Sequence, residues 1–353
     1  AGTPNAELLV QLIGAVVAPV FALASPVAGK LVGRFGVRTV YIVSALLVAL
    51  GGAGAALCNG LIPILALRVV LAIGVAGGFT AGMSGIARLP EAQRPQILGI
   101  NAFVAGAICI PLFPLVGLLA AQSWRTAFLA HLVVLVAPLL ALGLPRHEAG
   151  PAAAGHAAVP ATGLLAGLPV ALLAITALGG LAMFSSSMYS PFVLGAIGVT
   201  EPGRVGQILG VMSLCSLAGS GSYGFVQARL GTPTMLRLGC AVIAAGCLLI
   251  GLATALPLAI VGMGLLGAGL AIFATSSYGT AIDMVGPAGN APAALGVMTF
   301  VLYGAQMAFP GLSGTIGKSA GPGAVFLLLS AAMVLSVVLA ISLGRPRPAP
   351  APA

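Results

Sequence analysis

The chain has 353 residues, 60% of them hydrophobic and 5% charged, with 14 Lys and Arg against 5 Asp and Glu. Soluble domains carry roughly 25% charged residues, and so few acids cannot solvate a surface of this size, so soluble enzymes and nucleic-acid binders are excluded. The net charge of +9 then belongs to loops between apolar runs of a polytopic α-helical membrane protein, a class in which about 20 apolar residues make one span.

Eleven spans are predicted, at about 8–28, 39–57, 62–83, 97–121, 127–144, 163–190, 205–227, 235–255, 257–282, 293–316 and 323–343. The first two are joined by GKLVGRFGVR, residues 29–38. The third carries Arg68 about two turns inside the membrane, where a charge is costly and marks a functional candidate. Pro111 and Pro114 bend the fourth, because each removes a backbone hydrogen bond. The fifth follows SWRTAF and holds His131, a group that titrates near neutrality. The stretch 146–162, rich in Ala, Pro and Gly, reads as a linker between an N-terminal bundle (1–145) and a C-terminal bundle (163–344). The tail 345–353, RPRPAPAPA, reads as disordered. The five cysteines have no metal-ligand spacing and read as small buried hydrophobes. No HExxH, CxxC or phosphate-cradling loop is present, so no enzymatic site, cofactor or metal is expected.

Alternate loops divide the cations ten to three. Lys30, Arg34, Arg38, Arg88, Arg94, Arg146, Arg229, Arg237, Arg345 and Arg347 fall on one side, and Arg125, Arg204 and Lys318 on the other. The richer side is expected to be cytoplasmic, with the C-terminus there. Gly29, Arg34 and Gly36 recur as Gly224, Arg229 and Gly231, each 195 residues later, and Leu98-Gly99 is answered by Leu295-Gly296. The halves read as parallel repeats. At that offset the span 163–190 lacks a counterpart, so twelve spans are expected in the natural protein, the first being absent from this chain.

The loop 29–38 resembles the signature loop of the major facilitator superfamily, Gly-x-x-x-Asp-Arg-x-Gly-Arg-Arg/Lys. Gly29, Arg34, Gly36 and Arg38 match, while Gly33 stands for the Asp and Val37 for a basic residue. RVVLAIG, with Arg68 and Gly74, is similar to the family's Arg-x-x-Gln-Gly-x-Gly. SWRTAF is similar to its Trp-Arg-x-x-Phe. GAICIPLFPLVG at 106–117 resembles a degenerate antiporter element, matching it at Pro111.

The resemblance implies an all-α fold of two pseudo-symmetric bundles rocking about a central cavity. It implies a monomeric secondary transporter in the cell (inner) membrane, moving a small organic molecule by proton-coupled efflux. Uptake of a sugar or metabolite, and a non-transporting receptor on the same fold, are the alternatives. Glycine pairs four apart, Gly74/Gly78, Gly163/Gly167 and Gly206/Gly210, can pack helices closely. Arg34 and Arg38 with Glu91, and Arg229 with Asp283, are expected as latches on the cytoplasmic side. The glycines Gly29, Gly36, Gly224 and Gly231 are expected to turn the chain there. Arg68 and His131 are the coupling candidates. Substrate contacts are expected from Asn101, Phe184, Ser185, Ser187, Tyr189, Ser276, Tyr278, Tyr303 and Gln306. No span holds a cluster of charge, which favours a neutral, amphipathic or weakly cationic substrate.

Overall fold

The computed structural model describes residues 6–87, 94–143, 168–285 and 291–343, and among them all regular structure is helical. Helix α1 (Ala6–Ala15) meets α2 (Val17–Ala53) at a one-residue break. Helix α2 itself turns at Gly36, where φ 82° and ψ 160° leave the helical region. Its two arms are the spans expected on either side of the signature loop. A 3₁₀ turn, Gly54–Leu57, leads to α3 (Leu61–Ala87). Helix α4 (Arg94–Gln122) carries Pro111 and Pro114 internally. Ser123 caps α5 (Trp124–Leu129) by accepting from the Arg125 N–H at 3.2 Å. A 3₁₀ stretch, Ala130–Leu135, then passes into α6 (Val136–Ala141).

The second part begins with α7 (Val170–Met188) and the short α8 (Ser190–Ala196). Helices α9 (Pro202–Leu230) and α10 (Thr232–Gly251) are separated by Gly231, with φ 76° and ψ 158°. Helices α11 (Leu256–Val285), α12 (Ala291–Ala320) and α13 (Pro322–Ser342) follow. The linker expected at 146–162, the tail 345–353, Glu91 and the pair Gly163/Gly167 lie outside the described residues.

Eleven spans were expected; among the described residues nine segments are long and apolar enough to cross a membrane. Helix α1 and the first arm of α2 cover the stretch 8–28, and α12 covers 293–316, each as helix.

Gly36 and Gly231 hold nearly the same backbone geometry, in a region that only glycine adopts without strain. The other two glycines of the repeat do something else. Gly29 and Gly224 are helical, and a Cβ on either would meet nothing within 4 Å. The turn is therefore made by Gly36 in the first loop and Gly231 in the second. Gly36→Ala and Gly231→Ala are each expected to cost about 1–3 kcal/mol, read as a lower unfolding temperature in detergent. Gly224→Ala is expected to be neutral or slightly stabilising, because Ala is the better helix former. Equal behaviour of the three variants would contradict this assignment.

Close helix packing is made by glycines whose missing Cβ admits a neighbouring backbone. Gly51 lies against Leu67 and Leu71 of α3, and Gly246 against Gly262 and Leu266 of α11, positions 195 residues on. Gly74 lies against Ser44 and Val48, and Gly269 against Ile243. Between the two halves, the principal contact is that of α4 with α9. A Cβ on Gly117 would lie 2.5 Å from the Pro202 carbonyl oxygen, and one on Gly206 2.5 Å from that of Phe113. A Cβ on Gly210 would lie 3.0 Å from Pro114 Cγ. The expected Gly206/Gly210 pair therefore faces the other half of the chain, and Gly74 the first half's own α2.

Lys30, Arg34, Arg38, Arg229 and Arg237 mark one end of the helices, called the basic end below. Glycine approaches between the two halves run from the middle to the opposite end: Gly106 on Leu217, Gly117 on Gly206, Gly14 on Met188. Toward the basic end, Gly221 and Gly224 of α9 meet nothing within 4 Å. The halves close away from the basic end and part toward it.

Candidate functional site

Aromatic rings from both halves meet near the middle of the helices. Phe21 of α2 lies 5.5 Å from Phe79 of α3, edge to face, and 5.7 Å from Tyr303 of α12. The Tyr278 hydroxyl is 3.2 Å from the Thr299 hydroxyl. Gln306, one turn beyond Tyr303, is buried. The group joins aromatic faces to a few neutral hydrogen-bonding atoms, and among the described residues it contains no charge. Such a surface can hold an uncharged or amphipathic molecule by stacking and hydrogen bonds. Tyr278, Tyr303 and Gln306 were expected from the sequence. Phe21, Phe79 and Thr299 were not, because a lone Phe or Thr in an apolar run carries no periodic or motif signal.

The other cavity candidates are placed elsewhere. Phe184 is buried against Phe309 at 5.5 Å. Tyr189 is enclosed by Phe192, Phe309 and Phe326, with its hydroxyl donating to the Ser313 carbonyl at 3.5 Å. Ser185 donates to the Ala182 carbonyl and Ser276 to that of Ile272, each at 2.7 Å, the usual way a span satisfies a hydroxyl. These four belong to the packed core of the second half rather than to an open cavity. Ser187 is half-buried at the end of α7. Asn101 lines a cleft of about 260 Å³ between α2, α3, α4 and α6, with Tyr41, Gly78, Val134 and the same Phe79.

Arg68 and His131, 63 residues apart in sequence, come together. Arg68 Nη1 is 3.4 Å from His131 Nε2, and the guanidinium carbon is 5.1 Å from the Phe128 ring centroid. Arginine can only donate, so Nε2 accepts. The proton then sits on Nδ1, which donates to the Phe128 carbonyl at 2.9 Å. Both nitrogens of a neutral ring are thus used. Gly52 makes room, since a Cβ there would overlap the imidazole. Arg68 Nε is buried without a hydrogen-bond partner among the described residues. Arg125, by contrast, is structural: it donates to the Ala56 carbonyl at 2.6 Å and to Asn59 Oδ1 at 2.7 Å, pinning the 3₁₀ turn.

The expected Arg229–Asp283 latch is not formed. Arg229 lies over the Phe225 ring at 4.3 Å and Arg34 over Phe35 at 5.3 Å, and both are exposed. Asp283 is also exposed and lies near Tyr223. Arg229 ends α9 and lies on a ring one turn earlier in the same helix, rather than reaching Asp283 on α11. Arg38 is half-buried and has its own interaction.

The sequence matches the Major Facilitator Superfamily over residues 5–264. Among solved structures the chain is similar to a D-xylose–proton symporter, with 16% identity over 96% of this chain and 88% of that chain, at a TM-score of 0.77. It is also similar to the E. coli fucose–proton symporter, with 16% identity over 97% and 94%, at a TM-score of 0.60. A nucleoside transporter shares 12% identity over 96% and 91%, at a TM-score of 0.74. At such identities the likeness is one of fold. No match was found among curated proteins. With the family's sequence pattern running through most of the chain, and its apolar helices stacked as in known carriers, the chain belongs to the major facilitator superfamily.

Proposed function

We propose that this protein carries a small, uncharged or amphipathic organic molecule across the cell membrane by alternating access. The Phe21–Phe79–Tyr303 group carries the reading: it bridges the two halves where they begin to part. The bundles are 1–145 and 163–344, joined by 146–162, with the basic end and C-terminus in the cytoplasm, following the positive-inside rule. The conformation is then inward-open, with Phe21, Tyr278, Tyr303 and Gln306 contacting substrate. Arg34, Arg38 and Glu91, with Arg229 and Asp283, form the latches of the opposite, outward-open state. Each exposed pair contributes about 0–1 kcal/mol, a bias rather than a lock.

Contacts at the 195-residue offset support pseudo-symmetric bundles. The 260 Å³ cleft supports a twelve-helix protein. Gly78 lines it, and the counterpart of Gly78, Phe273, packs on Gly179 of α7. The cleft is thus where a helix equivalent to α7 would lie. One wall agrees: Trp124–Ala141 is almost wholly unburied, whereas Pro322–Ser342, its counterpart at that offset, is more than a third buried.

Arg68 and His131 form the coupling pair. His131 can take a proton on Nε2 only when Arg68 moves off it, which would tie protonation to a helix shift. Solved neighbours named as proton symporters support uptake; the degenerate element around Pro111 supports export. Membrane vesicles distinguish the two. Radiolabelled D-xylose, fucose and a nucleoside, together with the cationic dye ethidium, are offered under a proton gradient. Accumulation in right-side-out vesicles with an acidic exterior means symport, and accumulation in inside-out vesicles with an acidic interior means export. Saturable binding without movement in either would leave the receptor reading instead. Arg68→Gln is expected to lose gradient-driven accumulation while keeping exchange of labelled for unlabelled solute. Full accumulation by Arg68→Gln would remove the pair from coupling.

A further inference from the structure

The first half contains a second opening, independent of the solute carried. An apolar groove of about 520 Å³ runs between the two arms of α2 and α3, lined by Ala24, Val27, Leu31, Phe35, Val43 and Ile73 among others. Five of these large side chains remain between 41% and 56% exposed. The reason is in the sequence. At the 195-residue offset the second half has Gly219 and Ala268, and a Cβ on Gly219 would lie 2.8 Å from the Ala268 carbonyl oxygen. The first half has Ala24 and Ile73 at those places. Ile73 is too large for that approach, so the helices stay apart and the groove opens.

Its mouth is cationic. Phe35 closes the groove at the basic end and carries the Arg34 guanidinium 5.3 Å from its ring centroid. Lys30, one turn earlier, is exposed beside Leu31. Neither cation is paired with a carboxylate among the described residues, where the ion pair is Arg204 with Glu201. From Ala24 to Phe35 the groove follows α2 for about 16 Å at 1.5 Å per residue, roughly half of a hydrocarbon core of about 30 Å. That is the depth of one leaflet.

We propose that this groove binds one anionic phospholipid, with an acyl chain between Val27, Leu31 and Val43 and its phosphate between Lys30 and Arg34. An apolar slot one leaflet deep suits a chain. Two unpaired cations at its mouth suit a negative headgroup, as basic residues do at anionic membrane surfaces. A zwitterionic lipid could fill the slot but would leave the cations uncompensated.

The test uses the full chain purified in detergent and native mass spectrometry. It is titrated with phosphatidylglycerol or phosphatidylcholine bearing identical chains. One phosphatidylglycerol is expected to bind about tenfold or more tightly than phosphatidylcholine, the scale two basic residues give. Lys30→Gln with Arg34→Gln should bring the two lipids to parity. Val43→Trp, which fills the slot away from the cations, should weaken both, and Ala24→Phe serves if that variant does not fold. Equal binding of the two lipids by the parent overturns the proposal. So does unchanged phosphatidylglycerol binding in the cation and groove variants. Displacement of the lipid by equimolar glycerol phosphate would assign a soluble anion site and overturn it equally.

Discussion

Gly206→Leu is expected to separate α4 from α9 and to abolish transport, while a protein of normal length still inserts in the membrane. The new Cβ would press on the Phe113 carbonyl oxygen at 2.5 Å and on Gly117 Cα at 3.0 Å. Both belong to the backbone, so no rotamer change relieves the clash. Overpacking of a tight contact costs about 1–3 kcal/mol, and here the strain falls on the end where the halves close. The conformation in which α4 and α9 are closed should therefore lose population. Gly117→Leu strains the same contact from the other side, so the double variant should cost much less than the sum of the singles. The measurement is unfolding temperature together with initial transport rate. Additive losses would mean that the two glycines act on separate contacts.

Phe21→Ala and Tyr303→Ala are expected to reduce transport by about tenfold each, since losing a ring contact plus its apolar burial reaches the 1.4 kcal/mol that a factor of ten requires. Tyr303→Phe keeps the ring 5.7 Å from Phe21 and should retain most of the activity. If the rings contact substrate, the loss appears in KM; if they only brace the halves, it appears in kcat. A double Ala variant no worse than either single would show the two rings acting as one contact. Parent-like transport by both single variants would remove the rings from the transport path.

Particular elements show where the sequence was sufficient. The four-residue spacing of Gly206 and Gly210 made a packing face legible, and that face meets Phe113, Pro114 and Gly117. The repeat of Gly36 as Gly231 was legible too, because only glycine accepts the φ that both adopt. Spacing could not say that Gly29 and Gly224 face open space, since a helical glycine and a turning one look alike in a string. Composition placed Arg68 and His131 in spans, but their meeting depends on how α3 lies against the 3₁₀ stretch, a tertiary fact. Phe21 and Phe79 were hidden for a simpler reason: in lipid a Phe is ordinary wherever it faces. The Arg229–Asp283 pairing also needed more than charge sign, because Phe225, one turn before Arg229, competes for its guanidinium.

Helix α12 has a consequence for how the protein is made. Thr299, Tyr303 and Gln306 stand in its middle, which leaves it less apolar than α13. Polar groups at the centre of a segment raise the cost of moving it into lipid alone. In the folded protein α12 lies against α7, α11 and α13, and α13 is synthesised after it. These neighbours offset that cost, so insertion of α12 is favoured by the helices that pack on it.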